Sequence, residues 1–176
     1  MKYEIKLLQD KSKLQEIYDL RVHAWENSPS KKTINKSLFP KGWFDEADKD
    51  SFIWYLSNEE NKIIATARLT YLNNLSQLKK LGVVFHDIKI PEERPFGFFS
   101  RLVIHKNFRG KGIAKLFDLV RLEKLKKDNI RLGLIEVNNK RVAPLSKLGF
   151  IKIGFVKFKP ASIGEEEVLN LMSIEY

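Results

Sequence analysis

The sequence predicts a mixed α/β domain built on a central, partly parallel sheet. Three observations predict it. Short runs carry apolar residues at alternate positions, two longer stretches carry them at three- and four-residue spacing, and strand and helix signals alternate in the second half before two closing strands. The 176 residues suit one domain over 1–176, and no repeat or linker-like stretch divides them. At 43% hydrophobic and 31% charged, with nine glycines and six prolines, the chain can bury a core and is neither disordered nor collagen-like.

Each element has its own signal. Tyr3, Ile5 and Leu7 alternate, so residues 2–8 read as a first strand. Leu14, Ile17, Tyr18, Arg21, Val22 and Trp25 recur at helical spacing, giving a helix from Lys11 to Glu26. Residues 28–50 are irregular, with Pro29, Pro40 and Gly42, and end in an acidic run from Asp45 to Asp50. Phe52–Leu56 and Ile63–Tyr71 form a hairpin joined by the polar segment Ser57–Lys62. Leu75–Leu81 is a short helix. After Pro91 and Pro95, Phe98–Ile104 is a strand. Ile113, Leu116, Phe117, Val120 and Leu125 mark a helix of about four turns. Leu132, Leu134 and Val137 mark a strand, and a short helix over Asn139–Leu148 ends at Gly149, which suits a left-handed cap. Ile151–Phe158 and Val168–Ile174 close the sheet.

Composition then excludes chemistry. The absence of cysteine removes disulfides, thiolate nucleophiles, thiolate-held zinc and iron–sulfur clusters. His23, His86 and His105 are too widely spaced for a histidine-rich metal site, so no metal is expected. Asp45, Asp48 and Asp50 lack calcium-loop spacing and read as a charged loop or helix start. No signal-peptide run and no stretch near 18 apolar residues occurs, so a cytoplasmic protein without membrane association is expected, and the Asn-x-Ser triplets at Asn35 and Asn74 carry no glycosylation meaning. The net charge of +10 makes a polyanion a plausible partner. Nucleic acid is the weaker choice, because no helix-turn-helix, zinc-finger or stacked-aromatic pattern is present.

The most informative stretch runs from Arg101 to Phe117. A hydrophobic strand enters a short loop holding Arg109, Gly110, Lys111 and Gly112, which then opens a helix. Glycines let successive N–H groups turn one way, and the first turn of a helix has unpaired donors. With Arg109 and Lys111 adding charge, the loop can cradle a diphosphate, although an ordinary basic strand–helix turn would have the same composition. It is neither a P-loop nor a dinucleotide fingerprint.

Arg109-x-x-Gly112-x-Ala114 resembles the R/Q-x-x-G-x-G/A pattern of the GNAT N-acetyltransferase superfamily. The preceding Ser100-Arg-Leu-Val-Ile-His105 is similar to that family's fourth strand, and Asn138 followed by Lys147-Leu148-Gly149-Phe150 to its "N…EKLGF" element. The resemblance implies a splayed sheet flanked by helices and an acyl-coenzyme A co-substrate, acetyl-coenzyme A foremost. It implies that the backbone of Leu102, Val103 and Ile104 pairs with the pantetheine amides. Arg109, Gly110, Lys111, Gly112, Ile113 and Ala114 would hold the diphosphate, and Asn138 would face the cofactor near the thioester. The implied reaction is direct attack of an amine, on a small molecule or a peptide, with no covalent enzyme intermediate. A homodimer is compatible with it.

The pattern departs at two places. Leu145 stands where many members carry a tyrosine that protonates the leaving thiolate, and Phe98 where many carry a carboxylate base. Glu136 is the candidate base, or else a plain strand-end carboxylate. Arg101 is either a fork for a substrate carboxylate or a strand-edge ion pair.

The first half also resembles acyl-homoserine-lactone synthases, which share the fold and use S-adenosylmethionine as acceptor. The residues are Arg21, Trp25, Trp43-Phe44-Asp45, Asp48, Arg68-Leu69 and Ser100-Arg101, with the acidic residue near Phe98 missing. This implies an acceptor wall of residues 21–50 with Trp25, Trp43, Arg68 and Arg101, unless the aromatics only fill the core. The sequence thus leads to an acyl-coenzyme A-dependent N-acyltransferase. The alternatives are an autoinducer-synthase-like acyltransferase, an inactive coenzyme A-binding module and a nucleic-acid-binding protein.

Overall fold

The computed structural model describes residues 3–27, 36–81, 83–85, 95–158 and 167–176. Residues 28–35 of the expected irregular stretch, with Asn35, and also His86 and Pro91, lie outside them. The strands are β1 (Lys6–Leu7), β2 (Ser51–Ser57), β3 (Ile63–Leu72), β4 (Val83–Phe85), β5 (Phe96–Ile104), β6 (Leu132–Val137), β7 (Ile151–Phe158) and β8 (Glu167–Glu175). The helices are α1 (Leu14–Glu26), α2 (Leu75–Lys80), α3 (Ile113–Lys127) and α4 (Asn139–Ser146). The chain forms two compact units, one from residues 1–69 and 101–120, the other from 70–100 and 121–176.

In the first unit the strands neighbour one another in the order β1, β2, β3, β5. α1 starts after a turn over Lys11–Lys13, where the Asp10 carboxylate accepts from Ser12 N at 2.9 Å. It buries Ile17, Leu20, Arg21 and Ala24, one face at helical spacing. The apolar members of that face meet Ile53, Ile63 and Val103 in a shared core. Asn58 closes the β2–β3 hairpin by accepting from Glu60 N and Lys62 N, and Asn61 takes a left-handed φ of 60°. β3 is buried from Ile63 to Thr70, so both faces are covered; Thr66 satisfies its hydroxyl on Trp54 O at 2.9 Å.

In the second unit the order is β3, β5, β6, β8, β7, β4. β5 and β6 are parallel from Phe96↔Leu132 to Phe99↔Ile135, and their ladder stops there. β6–β8, β7–β8 and β4–β7 are antiparallel, with an irregularity in β7 between Lys152 and Gly154. The core gathers Leu72, Leu75, Leu78, Val83, Phe96, Phe98, Leu132, Leu134, Val156 and Leu171. Asn74 caps α2 through its side chain, which accepts from Gln77 N at 3.1 Å. Gly149 has φ 96°, the left-handed stop expected after α4.

The structure corrects three element readings. The first strand is only Lys6–Leu7, both exposed: it is an edge pairing Lys6↔Tyr55 and Leu7↔Trp54, so alternation alone does not extend it. Val83–Phe85, too short for a strand signal, becomes one by pairing with Val156–Phe158. α4 ends at Ser146 rather than Leu148.

Candidate active site

β5 runs into a turn over Lys106–Phe108, pinned by His105 N donating to Ile64 O at 2.8 Å. Gly110 and Gly112 follow with φ of 78° and 77°. A Cβ at either would meet no atom within 4 Å, so glycine is needed here for backbone conformation and the space beside it is open. Ile113 then starts α3 as a buried anchor. Lys115 N donates to Gly112 O at 3.1 Å, and the N–H groups ahead of it in the first helical turn have no partner one turn earlier, which makes this a fitting cradle for a diphosphate. Lys111 is exposed, its ammonium 5.1 Å from the Phe108 ring centroid.

Arg109 is placed otherwise than its charge suggests. Its guanidinium donates to Ile104 O at 3.0 Å, to Asn27 O at 2.7 Å and to Ala24 O at 3.0 Å. The last two carbonyls end α1, which has no later turn to satisfy them. Arg109 is therefore a clamp between the loop and the end of α1, and Lys111 is the loop's exposed charge. His23 and His105 stack across the same junction, with ring centroids 4.6 Å apart and planes within 9°. Burial first, then neighbouring charges, holds both imidazoles below their ordinary pKa: Lys106, Arg109 and Lys62 act on His23, and His23, Lys62, Lys106 and Arg109 on His105. His23 Nε2 is buried without a hydrogen-bond partner.

The expected acceptor residues come together in the same unit. Gly42, at φ 80°, lies where a Cβ would stand 2.6 Å from Tyr18 Cβ, and this approach lets Trp43 N donate to Tyr18 O at 3.0 Å. Trp43 is buried beside Trp25, with centroids 5.4 Å apart, and beside Phe39 at 4.8 Å. The acidic run that follows is not simply a solvated loop. Asp48 is buried and accepts from Arg21 at 2.6 and 3.0 Å and from Arg68 at 3.0 Å. Asp45 accepts from Arg101 Nε at 2.6 Å and lies 3.1 Å from Arg68. The result is one network of three guanidiniums and two carboxylates. Burial opposes the charge on Asp45, but Arg101 and Arg68 outweigh it and hold its carboxyl below the ordinary value; burial also lowers the Arg101 guanidinium, against the pull of Asp45.

Of the two readings open for Arg101 at the sequence level, the structure shows the ion pair. Arg101 has its guanidinium 5.1 Å from the Trp43 ring centroid and a side chain 19% exposed. Its φ is 53°, inside a strand, a strained conformation costing about 1–3 kcal/mol that persists only where the surroundings impose it. The sequence reading took Asp45 and Asp48 as part of a charged loop or helix start, and only the resemblance grouped them with Arg21, Arg68 and Arg101. Their three-residue spacing was the available signal, and it lets Asp45 N donate to Asp48 Oδ2 at 3.2 Å.

The other candidates belong to the second unit. Glu136 is part-exposed on β6, opposite Leu171. Asn138 precedes α4, is exposed, and makes no capping bond through its side chain. Leu145 and Phe98 are buried, so both departures from the expected acid–base pair are core side chains.

The sequence model of the Acetyltransferase (GNAT) family matches residues 14–150, and the chain belongs to that family. No curated protein matches as a sequence relative. Among solved structures, the chain is similar to the histone acetyltransferase HPA2 and related acetyltransferase of Corynebacterium glutamicum: 16% identity, 99% and 97% of the two chains, TM-score 0.65. It is similar to the ribosomal-protein-alanine N-acetyltransferase of Brucella melitensis: 14% identity, 98% and 99% coverage, TM-score 0.66. It is also similar to FeeM, an N-acyl amino acid synthase from uncultured soil microbes: 14% identity, 99% and 91% coverage, TM-score 0.63. At these identities the likeness is one of fold. Among the described residues, no helix is long and apolar enough to cross a membrane.

Proposed function

We propose that this chain transfers an acyl group, acetyl in the first instance, from a coenzyme A thioester to an amine. The observation that carries the reading is the loop at Gly110 and Gly112: two left-handed glycines, open space beside both, and a helix starting immediately after them. Backbone N–H groups from Gly110 to Ala114 and the Lys111 ammonium hold the diphosphate, with Arg109 clamping the loop. The backbone of Leu102, Val103 and Ile104 pairs with the pantetheine amides. In this reading Asn138, whose side chain makes no cap bond, contacts the cofactor near the thioester.

In the reaction the amine nitrogen adds to the thioester carbonyl carbon, the carbon–sulfur bond breaks, and sulfur leaves with the electron pair. The nitrogen must lose a proton and the thiolate gain one. Glu136 is the proton acceptor in this reading, since neither Leu145 nor Phe98 can serve. Those two side chains also favour a second reading, a module that binds coenzyme A without turnover.

Acetyl-coenzyme A at millimolar concentration should raise the thermal midpoint, because it binds only the folded chain; at one hundred times Kd the gain is about 2.7 kcal/mol. Gly112→Trp, which fills the open space, should remove that gain. A folded protein with no shift would end both readings. Thiol release on an amine panel separates them: turnover that Gly112→Trp reduces excludes the inactive module.

A further inference from the structure

The turn between β6 and α4 is held by one side chain from another strand. Asn170 lies on β8 opposite Val137, the last residue of β6, and is only 3% exposed. Its side-chain amide donates one proton to Val137 O at 3.2 Å and the other to the Asn139 side-chain oxygen at 2.8 Å. Val137 O can only accept, so the nitrogen of the Asn170 amide must face the turn, and Asn139 must present its oxygen to meet it.

Residues 137 and 139 are thereby tied to a single planar group, and Asn138 stands between them. Its backbone is extended, at φ −71° and ψ 167°. Its carbonyl accepts from Arg141 N at 3.1 Å, while its exposed side chain makes no capping bond. Three hydrogen bonds thus fix this turn, and none of them uses the Asn138 side chain.

An amide is a poor choice for this strand position on other grounds. Asn is disfavoured in strands, and the next two residues of β8, Leu171 and Met172, are fully buried apolar side chains. A buried amide is costly unless its partners are supplied. Strand preference and burial both argue for an apolar side chain at 170. Residues that break such rules gather where a site has to be held in shape.

We propose that Asn170 is a positioning residue for acyl transfer. By holding Val137 and Asn139, it sets the direction in which Asn138 presents its side chain to the thioester end of the cofactor. The inference rests on the acyltransfer reading for what Asn138 meets.

The test is a double-mutant cycle on the full chain. It is read by calorimetric affinity for acetyl-coenzyme A, and by kcat and KM for thiol release on the best acceptor of an amine panel. Asn170→Leu keeps the forked shape of the side chain and removes both donors. It should lower kcat/KM by about 10- to 100-fold, since a misplacement near 1 Å costs about that. In the Asn138→Ala background the same change should cost almost nothing further. A merely structural role predicts equal losses in both backgrounds, and that result would overturn the proposal. So would Asn170→Leu with native activity.

Asn139→Ala removes one partner at an exposed position, so it decides the matter if Asn170→Leu does not fold. It should show a smaller loss, again absent beside Asn138→Ala, and Asn139→Asp, which keeps an acceptor oxygen, should retain the native rate. A native rate in Asn139→Ala, a loss that persists beside Asn138→Ala, or an equal loss in Asn139→Asp would overturn the proposal. The acyltransfer reading is judged on the native chain, before any variant. If that chain neither binds nor turns over acetyl-coenzyme A, the reading fails and takes the proposal with it. If it binds without turnover, affinity carries the cycle, and the same pattern of losses is expected.

Discussion

Two regions of the first unit solve opposite problems with the same residue type. In the loop from His105 to Gly112, Arg109 is spent on three backbone carbonyls, and what the loop leaves open is backbone at Gly110 and Gly112 beside the Lys111 ammonium. In the network around Asp48, arginines meet carboxylates, and the surface left over is the outer edge of Arg101. A backbone surface tolerates side-chain change so long as φ is kept. A surface made of paired charges does not, because removing one partner strands the other where water cannot reach it.

The sharpest way to break the comparison is therefore Asp48→Ala. It leaves Arg21 and Arg68 without the oxygens at 2.6–3.0 Å. Loss of one member of a buried pair costs about 3–5 kcal/mol, a large part of the stability of an ordinary domain. Urea unfolding should show a midpoint far below that of the native chain, or no folded baseline. A change under about 1 kcal/mol would mean that Arg21 and Arg68 find water, and that the network is not closed.

Arg109→Ala comes next. A clamp and a phosphate ligand predict different losses. As a clamp, Arg109 supports the end of α1, and its removal leaves two terminal carbonyls and Ile104 O without their donor, for about 2–3 kcal/mol in the absence of any ligand. As a phosphate ligand it would change the affinity for coenzyme A and leave the apo stability alone. Denaturant unfolding of the apo protein, set against calorimetric affinity for acetyl-coenzyme A, decides between them.

The difference between the regions also explains what the sequence reveals. The loop was legible because it is local: strand, two glycines and helix lie within about a dozen residues, and the backbone needs glycine at φ near 80°. The hairpin, the helices α1 and α3 and the closing strands were legible for the same reason, a period that repeats within one element. The network is not local. Arg21, Asp48, Arg68 and Arg101 lie on four elements, and composition and periodicity leave no trace of their pairing; only resemblance set them in one list. The fate of the Arg109 side chain was hidden likewise, since nothing nearby in sequence says that Ala24 and Asn27 offer it carbonyls. β4 was missed because three residues carry no period, and their pairing with β7 is a tertiary fact.

A smaller effect tests the junction between the two regions. His23 and His105 stack at the loop's entry, with Lys62, Lys106 and Arg109 as the charged neighbours that oppose a proton on either ring. Both imidazoles titrate below their ordinary value in the folded chain, so between the folded and unfolded pKa the unfolded chain binds more protons. Stability is then full above the unfolded pKa of about 6.5 and falls as pH drops below it. Thermal midpoints taken from pH 8 down to pH 5 should decline along an acid limb that begins near pH 6.5. The carboxyl of Asp45, held low by Arg101 and Arg68, adds its own loss only below the ordinary carboxylate range, so the two limbs are separable. His23→Phe keeps a flat ring against His105 and removes one titrating group and its unpartnered Nε2. It should flatten the first limb and leave the second. An unchanged first limb would mean that the pair holds a proton as readily folded as unfolded, and that the neighbouring cations do not reach it.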